Sequence, residues 1–146
     1  MPAPPLGDAY DWFRRGSALL EQGNPAAAAL LLKWAADHEP QARSIREALG
    51  RALYDAHQYA DAADEFAVLV TLAPDDDYAQ FGLGLALSRL RQFQAAAEHL
   101  AIAAAMRPDR VAYQSALRQV RATITARDSA GLDPVGRSDE STNPLS

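Results

Sequence analysis

The chain has no cysteine, which excludes disulfides and thiolate metal sites. It has only three histidines, His38, His57 and His99, too scattered for metal-ligand spacing and expected on helix surfaces. Lysine is almost missing, with Lys33 alone among the cations that are not arginine. Basic charge is also in deficit: 14 Lys+Arg stand against 19 Asp+Glu, for a net charge of −5. That balance argues against a general nucleic-acid binder, which carries a basic patch. No stretch approaches the roughly 20 apolar residues of a spanning helix. The start, MPAPPLGDAY, has neither the basic region nor the apolar core of a signal peptide. A cytoplasmic protein with no membrane contact is the resulting expectation. No nucleophile elbow of the form Gly-x-Ser-x-Gly occurs, and the acidic pairs, such as Asp64–Glu65, fall on helix surfaces. The expectation is a non-enzyme with no cofactor and no metal.

What the sequence does have is a ruler. Pro40, Pro74 and Pro108 stand 34 residues apart, as do Gly16, Gly50 and Gly84. Ala28, Ala62 and Ala96 keep the same interval, and so do Leu19, Leu53 and Leu87, and Leu32, Phe66 and Leu100. Such a period across several residue classes indicates a stacked repeat. Within a unit the spacing is helical: Ile45, Leu49 and Leu53, then Ala62, Phe66, Leu69 and Val70. Each unit is therefore a helix, a short turn and a second helix. First helices are predicted at 8–22, 42–56 and 76–90, second helices at 25–38, 59–72 and 93–106. Alanine abundance supports helix, and each proline ends a second helix.

The segment DDDYAQFGLGLALSRL tests two chemical alternatives. Its glycines lack the third glycine and the preceding strand of a dinucleotide fingerprint. Asp75, Asp76 and Asp77 follow Pro74 at a helix start, where carboxylates cap free N–H groups. A Ca²⁺ loop would need more ligands at set spacing.

Residues 110–127 are predicted as one further first helix. Tyr113, Leu117, Val120 and Ile124 face back onto the third unit, and Gln114, Arg118 and Arg121 stand where a following helix would pack. This is the pattern of a solubilising cap. Domain bounds follow: a loose N-terminus at 1–7, a repeat domain at 8–127 with units 9–42, 43–76 and 77–110, and a disordered tail at 128–146.

The residues of the ruler resemble the tetratricopeptide repeat family. The first unit carries Trp12, Gly16, Leu19, Ala28, Leu32, Ala35 and Pro40. The second carries Leu49, Gly50, Leu53, Tyr59, Ala62, Phe66 and Pro74. The third carries Leu83, Gly84, Leu87, Phe93, Ala96, Leu100, Ala103 and Pro108. Arg46 and Gln80 depart from the pattern opposite Trp12, and Pro25 departs opposite Tyr59 and Phe93. The resemblance implies an all-α, right-handed solenoid of three helix pairs plus a capping helix. It also implies a non-catalytic adaptor, co-chaperone-like or regulatory module that binds a peptide or helix of another protein in a concave groove.

Helical phase places Tyr10, Phe13 and Ser17 on that groove, then Ser44, Glu47, Arg51 and Tyr54, then Tyr78, Phe81, Leu85 and Arg89, then Ser115 and Gln119. Tyr10 and Phe13 return two periods later as Tyr78 and Phe81. They are either partner anchors or, for Phe13 and Phe81, padding between neighbouring helices. The family's carboxylate clamp would need Lys, Arg or Asn at Phe13, Ser17, Ala48, Tyr78 and Gly82, so that specificity is not expected here. A second candidate surface is the stripe of Leu30, Trp34, Val68 and Ile102 on the second helices. It would serve self-association into a homodimer or docking of a larger partner, or else packing between second helices.

Overall fold

A computed structural model describes residues 3–131. Its elements are α1 (Ala9–Glu21), α2 (Pro25–His38), α3 (Arg43–Asp55), α4 (Tyr59–Leu72), α5 (Asp77–Arg89), α6 (Phe93–Met106) and α7 (Val111–Ser129). The second helices coincide with the predicted spans, and the first helices are one residue shorter at each end. The cap helix runs to Ser129, and the remainder of the predicted tail from residue 132 lies outside the described residues. No helix among the described residues is long and apolar enough to cross a membrane.

Each helix packs on its chain neighbour, from α1 on α2 through to α6 on α7. The first helices also approach one another, α1 to α3, α3 to α5 and α5 to α7, whereas α2, α4 and α6 do not. The first helices therefore line the inner, concave side and the second helices splay around the outside. This is an α-solenoid, as the ruler predicts.

Glycine makes the close approach possible. A Cβ at Gly16 would lie 2.7 Å from Leu32, and one at Gly84 would lie 2.6 Å from Leu100. At Gly50 it would meet Phe66 at 2.8 Å. The neighbour that demands glycine is thus the large residue of the second helix. The periodic alanines, Ala28, Ala62 and Ala96, are fully buried beside it. Gly82 is a fourth packing glycine: its Cβ would lie 2.5 Å from two ring carbons of Phe66. It stands outside the 34-residue glycine series, but Phe66 fills the space between α3 and α5 and so touches both.

Three turns within the units repeat as well. Gly23, His57 and Arg91 all have left-handed φ, at 82°, 61° and 64°. The next residue closes each turn onto the helix, with Asn24, Gln58 and Gln92 donating to the carbonyls of Leu19, Leu53 and Leu87. His57 is therefore a turn residue, not a helix-surface one. His38 does lie on a helix surface, and His99 is half-buried.

The residues opposite Trp12 share a function that their chemistry conceals. Trp12 Nε1–H donates to the Leu6 carbonyl, Arg46 Nε–H to Pro40 and Gln80 Nε2–H to Pro74, at 3.2, 2.9 and 3.2 Å. Each ties its helix to the turn six residues before it. Arg46 further pairs with Glu65 at 2.7 Å, and Gln80 Oε1 accepts from His99 Nδ1 at 2.8 Å. Because Gln80 spends its amide on Pro74, its oxygen is the acceptor, which puts the His99 proton on Nδ1.

Of the three aspartates, Asp76 caps α5 by accepting from the Ala79 N–H at 3.1 Å. Asp77 accepts from the Tyr113 hydroxyl at 2.6 Å, joining α5 to the cap. No group of His, Cys, Asp and Glu among the described residues is arranged to hold a metal. On α7, Tyr113, Leu117 and Val120 are buried and Ile124 packs beside them, while Arg118 and Arg121 are exposed.

Candidate functional site

Two grooves mark the concave side. The first, of about 650 Å³, lies between α1, α3 and the start of α5. It gathers Phe13 and Ser17, then Ser44, Glu47 and Arg51, then Asp76 and Tyr78. The second, of about 470 Å³, lies between α3, α5 and α7 and gathers Tyr54, Leu85, Arg89 and Gln119. Ten of the thirteen groove residues expected from the helical phase thus line one groove or the other.

Of the other three, Ser115 is exposed on α7 and borders neither groove, and the two aromatics stand apart. Tyr10 is 64% exposed near the start of α1, with the Arg14 guanidinium 5.6 Å from its ring. Phe81 is half-buried and lies against Tyr113, ring centroids 4.5 Å apart. It packs α5 onto the cap and does not point freely outward. Tyr78 is also half-buried, its edge against Phe66 at 6.1 Å, and it additionally borders the first groove.

The first groove is lined by apolar groups such as Phe13 and Leu20 and by charged ones. Arg43 faces Asp76 at 3.6 Å, and Arg51 faces Asp55 one turn along α3 at 3.8 Å. Glu47 sits between them, half-buried. Burial, then the negative charges of Asp76 and Asp77, push its carboxyl above the usual range, while Arg43 works against them. Burial also raises the Tyr78 phenol, so it stays a neutral hydrogen-bonding group in the groove. In the second groove the Arg89 guanidinium donates to the Tyr54 hydroxyl at 3.1 Å and lies 5.6 Å from the Tyr59 ring. That contact is a cation over aromatic faces at the surface.

On the outer side, Leu30, Val68 and Ile102 are 71%, 39% and 43% exposed. Packing between second helices does not cover them, because those helices do not approach one another. Trp34 is different: it is half-buried, with its ring 6.2 Å from Trp12.

Fold and grooves define a helical-repeat scaffold with an extended inner surface. Residues 13–77 match the family profile described as Tetratricopeptide repeat. The chain thus carries a tetratricopeptide-repeat region at residues 13–77, within a fold shared with tetratricopeptide-repeat domains. No curated protein matches it. Among solved structures it is similar to the first such domain of Spaghetti (RPAP3) bound to the HSP90 peptide SRMEEVD, with 17% identity and a TM-score of 0.76. That match covers 81% of this chain and 94% of the other. The Sgt2 domain from Aspergillus fumigatus is similar at 17% identity and TM-score 0.78, covering 97% and 95%. YrrB, a repeat protein with an unusual peptide-binding site, is similar at 19% identity and TM-score 0.73, covering 77% of this chain and 58% of the other. At such identities the likeness is one of fold.

Proposed function

We propose that the chain is a non-catalytic interaction module, of adaptor, co-chaperone-like or regulatory type, whose first groove holds a peptide or helix of a partner protein. The observation that supports this most is the groove itself: Phe13 and Tyr78 border a trough of about 650 Å³ that also holds charged side chains. Trough and aromatics together suit a side chain seated beside an extended backbone or a helix face. The peptide-bound Spaghetti domain and the peptide-binding YrrB share the fold, which is consistent with this use. The clamp residues that would favour an acidic C-terminus are absent at Phe13, Ser17, Ala48, Tyr78 and Gly82. A photo-crosslinking residue placed at Arg51 tests the reading in lysate, with Leu30 as the outer control. A partner captured from Arg51, not from Leu30, and lost on Tyr78→Ala supports the groove. Equal capture from both positions refutes it.

The exposure of Leu30, Val68 and Ile102 favours a second reading, self-association through the outer side. Sedimentation across a wide concentration range decides it. A dimer that Val68→Glu with Ile102→Glu disperses supports it, and a monomer at every concentration refutes it.

A further inference from the structure

We propose that the occupant of the first groove is a segment carrying an arginine or lysine that pairs with Glu47, beside an apolar side chain seated against Phe13 and Tyr78. This rests on the groove being the binding site and says what chemistry the groove selects. The argument starts from which charges are already used. Arg43 and Arg51 face Asp76 and Asp55. Asp76 also caps α5, and Asp77 holds the Tyr113 hydroxyl. The Glu47 carboxylate has no hydrogen bond or ion pair with any described residue, although Glu47 is half-buried and lines the groove. It is partly stripped of water and faces the negative charge of Asp76 and Asp77, an arrangement that disfavours its own ionised form. Arg43 is the opposing influence, and it is shared with Asp76. A cation entering from a partner would reverse both disadvantages at once. An acidic or neutral segment would leave the carboxylate buried without a partner, which is costly. The aromatic borders supply apolar contact for the aliphatic stem of an arginine or lysine, and guanidinium groups also stack on aromatic faces.

The test pans the full chain against a phage-displayed library of random dodecapeptides, then measures the enriched sequences by fluorescence anisotropy. Enrichment of Arg or Lys next to an aliphatic or aromatic residue is expected. Glu47→Gln should weaken such peptides by about tenfold, the effect of losing a partly desolvated charge pair. Replacing the peptide's basic residue by Gln should cost the same, with no further loss when both changes are combined. Glu47→Arg should turn selection toward acidic peptides. Circular dichroism and the melting curve of Glu47→Gln should match the parent, and Glu47→Asp, which keeps the charge, should retain most binding. Enriched peptides without a basic residue, no enrichment, or unchanged affinity in Glu47→Gln overturns the inference. Failure of the groove itself looks different: basic peptides would be selected, yet Tyr78→Ala and Arg51→Glu would leave their affinity unchanged.

Discussion

Gly82→Ala adds one methyl group and should destabilise the solenoid by about 2 kcal/mol. The new carbon would stand 2.5 Å from two ring carbons of Phe66, where ordinary contact begins at 3.4 Å. Phe66 must therefore retreat by most of an ångström. It has little room to move: it is 2% exposed, and its ring tip is also packed against Gly50, where a Cβ would be 2.8 Å away. Overpacking of this kind costs up to about 3 kcal/mol. Alanine recovers about 1 kcal/mol of helix propensity over glycine, which leaves the net figure. Urea unfolding followed by circular dichroism measures it as a shift in midpoint at constant slope. The partner change identifies the cause. Phe66→Leu alone should cost about 1–2 kcal/mol by loss of buried ring contacts. Combined with Gly82→Ala, it should cost at least about 1 kcal/mol less than the two single losses together, because the clash has gone. A Gly82→Ala protein as stable as the parent, or losses that simply add, would refute the placement of Phe66 between α3 and α5.

Gly50→Leu brings a full side chain against the same ring and should unfold the second unit; a normal melt would refute it. Gly23→Ala should cost about 1–2 kcal/mol by thermal melting, because its φ of 82° is left-handed. Phe81→Ala should lower stability by about 2 kcal/mol, since its ring packs on Tyr113, while Tyr78→Ala should weaken partner capture more than it weakens the fold. Burial first, and the Asp77 hydrogen bond second, raise the Tyr113 phenol above its ordinary value of 10.0. The unfolded chain thus releases that proton more readily, so stability should fall as pH rises past 10.0, and Tyr113→Phe should flatten that fall in a pH series of urea midpoints.

The period made the helices legible because its markers answer to backbone demands. A proline two residues past each second helix and a glycine at each crossing leave little freedom in where the elements begin and end. The inner surface was legible almost as far, because once the buried stripe is known the opposite face follows from 3.6 residues per turn. What escaped was set by side-chain reach. Phe66 is long enough to cross from α4 to both α3 and α5, so Gly82 became a packing residue with no periodic counterpart. Phe81 is long enough to meet Tyr113, so of its two readings, partner anchor or padding between helices, the packing against the cap matches the second. The left-handed turn has a glycine only at Gly23, and His57 and Arg91 carry the same strain in the other units, so no periodic glycine marks it.

The most instructive gap is at Trp12, Arg46 and Gln80, which read as one family residue and two departures. All three present a side-chain N–H to a carbonyl six residues back. The fold selects a donor of suitable reach there and leaves the rest of the side chain open, so the helix behind it adapts, with Glu65 meeting Arg46 and His99 meeting Gln80. Moving the third unit's pair into the second, as Arg46→Gln with Glu65→His, should therefore cost under about 1 kcal/mol. Arg46→Leu alone, which removes the donor and leaves Glu65 with its carboxylate mostly buried and unpaired, should cost about 3 kcal/mol. Equal losses in the two proteins, measured by urea midpoint, would show that the chemistry of the arginine matters and not the bond to the turn.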